Sequence, residues 1–228
     1  MSLYAIGDLH LSLGSDKPMD VFGGGWSNYV EKIKAGFSRL KPDDMCVLCG
    51  DISWGTTLKE SLLDFQFIDK LPGRKILIKG NHDYWWDTVT KMRTFFEKNG
   101  IHSIDILHNN CYIHESAAIC GTRGWLTDSD TADEQNKKIM ARETARLISS
   151  MEAAGEAVKL CFFHYPPRFK NMVCNDIIAA MDEHGVKQCW YGHIHGLGHR
   201  HAVRGTVEGI SYEMVSADFL DFAPQQIM

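Results

Sequence analysis

Asp8-Leu9-His10, Gly50-Asp51, Gly80-Asn81-His82-Asp83, His164 and Gly192-His193-Ile194-His195 are short clusters of carboxylate, amide and imidazole side chains, and each follows an apolar run. These are the donors of a transition-metal site. Two divalent ions about 3.5–4 Å apart need one ligand shared by both and separate ligands for each. Asp51 stands alone in its cluster and is the natural bridge, since a carboxylate has two oxygens. Asp8 and His10 lie two apart in an extended segment, so both can face one ion. His193 and His195 repeat that spacing, and their rings could reach one ion each. Asn81 offers a neutral carbonyl oxygen and His164 a further imidazole. Such mixed nitrogen and oxygen donors suit Mn, Fe, Zn or Ni better than Mg or Ca.

Singly, each motif has a plainer reading. Asp-x-His occurs in loops and helix caps, and Asn-His-Asp after glycine is turn chemistry. His164, before Tyr165-Pro166-Pro167, could simply end a strand. The ordered set is harder to explain that way, because buried carboxylates and imidazoles need partners.

The elements that must position these groups are short. Residues 3–6, 45–48, 76–78, 160–163 and 189–191 are apolar runs that read as buried strands, so each cluster sits at a strand tip. Helical spacing predicts helices over 26–40, 57–71, 87–99, 132–154 and 176–184, with Thr57/Glu60 and Thr131/Glu134 as capping boxes. Further strands are expected at 104–107, 111–114, 117–120, 206–207 and 210–215, the last two as a hairpin around Glu208-Gly209. Alternation of this kind is an α/β layered fold, and no linker or repeat divides it. We expect a single domain over residues 1–228. Residues 16–25, with Gly23-Gly24-Gly25, are expected as a surface loop beside the site. No Gly-Lys-Ser/Thr follows them, so they are not a phosphate-cradling P-loop. Gly198-His199-Arg200-His201 repeats the Gly-His-x-His spelling. The copy at 192–195 is preferred because it follows a strand-like run, which leaves His199 and His201 as loop residues. His102, His108, His114 and His184 read as surface or helix-end residues.

The chain has 228 residues, net charge −5 and 44% hydrophobic content. That is enough for a full α/β core, and it carries no basic footprint for nucleic acid or an anionic membrane. No apolar stretch approaches the ~20 residues of a membrane span. The N-terminus lacks a basic region and a cleavage site and runs directly into Asp8, so a cytoplasmic location is expected. The 7 cysteines are scattered through apolar runs and do not form a disulfide framework. Cys46 and Cys49 lie three apart in a strand and should face opposite ways as buried thiols.

The ordered clusters resemble those of the calcineurin-like metallophosphoesterases: Asp-x-His, Gly-Asp, Gly-Asn-His-Asp, His, Gly-His-x-His. The resemblance runs from residue 8 to residue 195. It implies a four-layer α/β/β/α sandwich around a dinuclear centre. One metal would take Asp8, His10, Asp51 and His195, and the other Asp51, Asn81, His164 and His193. His82 would stay unligated as general acid, held by Asp83. A bridging water, deprotonated near neutral pH, would be the nucleophile on phosphorus.

The eukaryotic Ser/Thr phosphatases carry Gly-Asp-x-Val-Asp-Arg-Gly and Gly-Asn-His-Glu. Here the text is Gly50-Asp51-Ile52-Ser53-Trp54-Gly55 and Gly80-Asn81-His82-Asp83, without the second Asp and the phosphate-gripping Arg. A small phosphoester is therefore the expected substrate. Phosphomonoesterase activity stands beside phosphodiesterase, cyclic-nucleotide or nuclease activity. A non-catalytic scaffold of the same fold is the reading from a different class. Arg123, in Gly121-Thr122-Arg123-Gly124-Trp125, could fork onto a phosphate or be a structural turn residue. Trp54, Trp85 and Trp86 could wall a base- or aryl-binding cleft or pack in the core.

Overall fold

The computed structural model describes residues 1–127 and 132–228. Strands β1 (Leu3–Ile6), β2 (Met45–Cys49), β3 (Arg74–Ile78) and β4 (Ile104–Ile106) run parallel in one sheet, in that order. The connections carry α1 (Tyr29–Phe37), α2 (Leu62–Lys70) and α3 (Val89–Lys98). Parallel neighbours require such crossovers, and their common handedness puts the helices on one face.

The chain then builds a second sheet from β5 (Tyr112–His114), β6 (Ala117–Thr122) and β7 (Val158–Phe163). A small ladder of β8 (Arg168–Phe169) and β9 (Met172–Val173) stands apart. β10 (Gln188–Tyr191), β11 (Gly205–Val207) and β12 (Ile210–Met214) complete the second sheet in the order β11-β12-β10-β7-β6-β5, with antiparallel edges and a parallel centre. Helices α4 (Glu134–Glu152) and α5 (Asn175–Glu183) cover it. β13 (Gln225–Gln226) returns to pair antiparallel with β1.

Period-two alternation makes these strands buried on both sides. Cys46 and Leu48 of β2 pack among the helices α1–α3, whereas Val47 and Cys49 face the other sheet. Between the sheets, Leu3, Ala5, Ile76 and Ile78 meet Ile119, Leu160, Phe162 and Trp190, with Phe162 and Trp190 stacked at 4.9 Å. On the far side Ala118, Cys120, Cys161 and Cys189 pack against α4 and α5. The layers are therefore α/β/β/α, and all 7 cysteines are free thiols.

Two predicted helices begin late. Asn28 takes a left-handed backbone (φ 56°), so α1 cannot extend back to Trp26, which sits in a 3-10 turn instead. Thr57 Oγ1 accepts the Glu60 backbone N–H at 3.2 Å, one half of the expected capping box, but the Glu60 carboxylate reaches back to the backbone N–H and hydroxyl of Thr56, and α2 starts only at Leu62. Thr131 lies outside the described residues, and Asp133 caps α4 by accepting the Asn136 N–H. The expected loop over 16–25 holds two 3-10 turns, Met19–Phe22 and Gly24–Trp26. His114 departs from expectation, being buried on β5 with neither ring nitrogen hydrogen-bonded.

Candidate metal centre

The clusters follow β1, β2, β3, β7 and β10 at their C-terminal ends, where ligands of open α/β sheets bind. The rims of the two sheets join there through a bridge between Gly7 and Ser216. Asp8 (φ 59°), His10 (φ 46°), Asp51 (φ 51°) and His193 (φ 72°) all take left-handed backbone. Such strain in non-glycine residues collects at functional sites, where surrounding structure over-determines it. Two glycines of the motifs are explained by close approach. A Cβ on Gly80 would lie 2.1 Å from the Asp51 backbone nitrogen and Oδ1, and one on Gly192 would lie 2.6 Å from Asp8 Oδ2.

The donor atoms gather in two groups. His10 Nε2 lies 3.2 Å from His195 Nε2 and 3.8 Å from Asp51 Oδ2, and His195 Nε2 lies 3.7 Å from Asp8 Oδ1. His164 Nε2 lies 2.7 Å from Asn81 Oδ1, 3.2 Å from His193 Nδ1 and 3.6 Å from Asp51 Oδ2. Donors bound to one ion at ~2.0–2.2 Å in tetrahedral geometry stand about 3.3–3.6 Å apart, so both groups are close to metal-sized. Asp8 with His10 and His195, and Asp8 with Asp51 and His164, each bring three such atoms within 4.8 Å of one another. Asp51 faces both groups through the same oxygen, Oδ2, because Oδ1 accepts the His82 backbone N–H at 2.7 Å.

Burial and mutual charge divide these groups in the metal-free protein. Burial pushes Asp8 up to about 7, with His195 pulling back and Asp51 adding repulsion. Burial presses His164 and His193 each down to about 3. Burial also opposes charge on His195, but Asp8 and Asp218 outweigh it and hold the ring up to about 9. The His164 Nδ1–H donates to the Cys49 carbonyl at 3.0 Å, so Nε2 turns a bare lone pair toward Asn81 and His193. Acceptors crowded in this way suit a positive ion held between them.

Asp218 escaped the sequence reading. Its Oδ1 lies 2.9 Å from His195 Nδ1 and its Oδ2 accepts the Gly196 N–H at 3.0 Å, which orients His195 Nε2 toward Asp8 and His10. It is a lone acid after β12 with no motif around it, and only the meeting of the sheets brings it to His195. His199 Nε2 also approaches Asp218 Oδ2, at 3.2 Å but without hydrogen-bond alignment.

Asp83 corrects an expectation. It does not hold the His82 ring. Its carboxylate accepts the backbone N–H groups of Asp51, Ile52, Ser53 and Gly80 and the indole N–H of Trp85. Backbone donors converging from two loops outcompete a neighbouring side chain, since each would otherwise be buried without a partner. His82 instead packs on Trp54, ring centroids 4.5 Å apart, and its Nδ1 is buried without a hydrogen-bond partner.

Beside this centre lies a cavity of about 580 Å³, lined by His10, His82, His195, Trp26, Trp54, Met19, Phe22, Gly23–Gly25, Gly196, His199 and Asp218. Trp54 is in its wall. Trp85 is buried in the core, Trp86 packs against that core, and Trp26 takes the place expected for them. Arg123 does not line this cavity, although its charge reaches His164. Its guanidinium is 3.4 Å from the buried Glu143 carboxylate and 5.0 Å over the Trp125 ring.

Two helix-flanked, mostly parallel sheets with a buried carboxylate–imidazole cluster at their common rim are the architecture of a metal-dependent phosphoester hydrolase. The model of the calcineurin-like phosphoesterase family matches residues 1–197, and the chain belongs to that family. No curated protein matches the sequence. Among solved structures, the fold is similar to that of a phosphopantetheinyl hydrolase from Mycobacterium tuberculosis, at 12% identity and TM-score 0.58, covering 100% of this chain and 95% of that one. It is also similar to a protein of unknown function from Aquifex aeolicus, at 18% identity and TM-score 0.49, covering 99% and 95%. No helix among the described residues is long and apolar enough to cross a membrane.

Proposed function

We propose that the protein hydrolyses small-molecule phosphoesters at a dinuclear centre. Asp8, His10, Asp51 and His195 would hold one ion, and Asp51, Asn81, His164 and His193 the other. The observation that carries this reading is that Asp51 Oδ2 faces His10 and His164 at once, at 3.8 and 3.6 Å. The mixed donor set suits Mn, Fe, Zn or Ni. Such ions supply neutralisation of phosphoryl oxygens and an acidified water as nucleophile.

The chain's own residues account for the rest. Asp218 and the Cys49 carbonyl fix the tautomers of His195 and His164. His82 serves the leaving oxygen. To protonate that oxygen the ring must act as an imidazolium that is left neutral, and it lines the cavity where the leaving oxygen would stand. Among the described residues no lysine or arginine lines the cavity, and Lys17, 5.4 Å over the Trp54 ring, is the cation beside its wall, which supports a small ester over a nucleic-acid strand.

The test is metal analysis and calorimetric titration with Mn, alongside turnover of 4-nitrophenyl phosphate and bis(4-nitrophenyl) phosphate. Two bound ions and Mn-dependent hydrolysis of either ester are expected, and the ratio of kcat/KM values separates monoesterase from diesterase. A protein that binds Mn yet turns over neither ester would be a scaffold.

A further inference from the structure

We propose that the 580 Å³ cavity receives the leaving group of the ester, and that this group carries a flat aromatic ring system. The inference rests on the phosphoesterase reading and names its substrate class. The cavity belongs to the leaving group because it opens directly beside the proposed centre, with His10, His82 and His195 as its inner wall. A ring attached to the leaving oxygen therefore extends away from the centre into the cavity.

The walls select what fits. Trp54 stacks on His10 at 5.0 Å and stands 4.5 Å from His82, and its indole N–H points to Met19 Sδ at 3.2 Å, which fixes its plane. Trp26 stands 5.7 Å from His10 and 5.8 Å from His195. The two indoles thus flank the mouth of the centre. Gly23 and Gly24, in left-handed backbone with nothing within 4 Å of where a Cβ would stand, leave bare main chain as a further wall. Phe22 is 71% exposed at the edge, an apolar side chain whose burial by a ligand is favourable. The carboxylate in the lining, Asp218, is engaged by His195 and Gly196. Aromatic side chains with few free polar groups, in a cavity within the ~300–1,000 Å³ range of small-molecule sites, recognise rings by stacking and edge contacts.

The test uses phosphonates, which present the same dianionic head and cannot be hydrolysed. Binding of 1-naphthylmethylphosphonate, octylphosphonate and ethylphosphonate to the Mn-loaded protein is measured by calorimetry and by tryptophan fluorescence. The naphthyl compound should bind at least about 10-fold tighter than the ethyl compound, a difference of about 1.4 kcal/mol, and should alter the fluorescence. Phe22→Ala, at an exposed position, should remove roughly 3-fold or more of that preference and leave ethylphosphonate affinity unchanged. Equal affinities for the three, an octyl compound that binds tighter than the naphthyl one, or a Phe22→Ala loss shared by all three would overturn the inference while ester turnover persists. Absence of both Mn binding and turnover would instead bring down the phosphoesterase reading beneath it.

Discussion

His195 and Asp218 are joined by a 2.9 Å contact between Nδ1 and Oδ1, which leaves His195 Nε2 aimed at His10 and Asp8. Asp218 is therefore a positioning residue for one of the two proposed ions. Asp218→Asn should lower the affinity of one Mn equivalent by about 10–100-fold and spare the other. Calorimetric titration resolves the two equivalents, and an unchanged isotherm would remove Asp218 from the centre.

Asp51→Asn keeps the acceptor for the His82 N–H and tolerates the left-handed backbone, but it removes the shared charge. Both ions should be lost on metal analysis. The metal-free variant should melt higher than metal-free wild type at pH 8, because burial and Asp51 together raise Asp8 and Asp83. EDTA-treated melts check the second half of this expectation.

His82→Ala should retain both ions and lose about 10²–10⁴ in kcat on an alkyl ester, with a smaller loss on a 4-nitrophenyl ester whose leaving group needs no proton. Equal losses on the two esters would assign His82 a role other than proton donation.

Asp83 gathers five N–H donors. Asp83→Asn offers them one oxygen and an amide group that repels the rest. A loss of about 2–4 kcal/mol in denaturant unfolding is expected, with the kcat/KM pH profile of the folded fraction unmoved. A shifted profile would mean that Asp83 acts on the His82 ring after all.

Asp64 is buried, and burial raises its carboxyl to about 6 against the hydrogen bonds from Ser53 and Leu13. The folded state therefore holds a proton that the unfolded chain gives up between pH 6 and about 4, so the acid weakens the fold above pH 6 and does not below 4. Asp64→Asn should stabilise the metal-free protein by roughly 1–3 kcal/mol at pH 8, with the gain fading as pH falls to 4. A gain independent of pH would contradict that titration.

Local pattern carried far into this molecule. The apolar runs before Asp8, Asp51, Asn81, His164 and His193 became β1, β2, β3, β7 and β10, because short runs of mostly buried apolar residues leave the chain little choice but a strand covered on both faces. Helix ends were less legible. Asn28 and the Thr56–Glu60 contact are single-residue events that periodicity does not register. Asp83 was misassigned for a related reason: adjacency to His82 in the chain says nothing about which N–H groups a folded loop turns inward.

The donor types, their order and their places at strand tips were determined by sequence alone, since these depend on residue chemistry and on short-range periodicity. The tertiary structure decided the rest. It brought His10 to His195 across 185 residues, recruited Asp218 and Trp26, gave Asp51 one inward oxygen and withdrew Arg123 to Glu143. Each of these depends on how two sheets meet at one rim, and that meeting is set by packing between residues far apart in the chain.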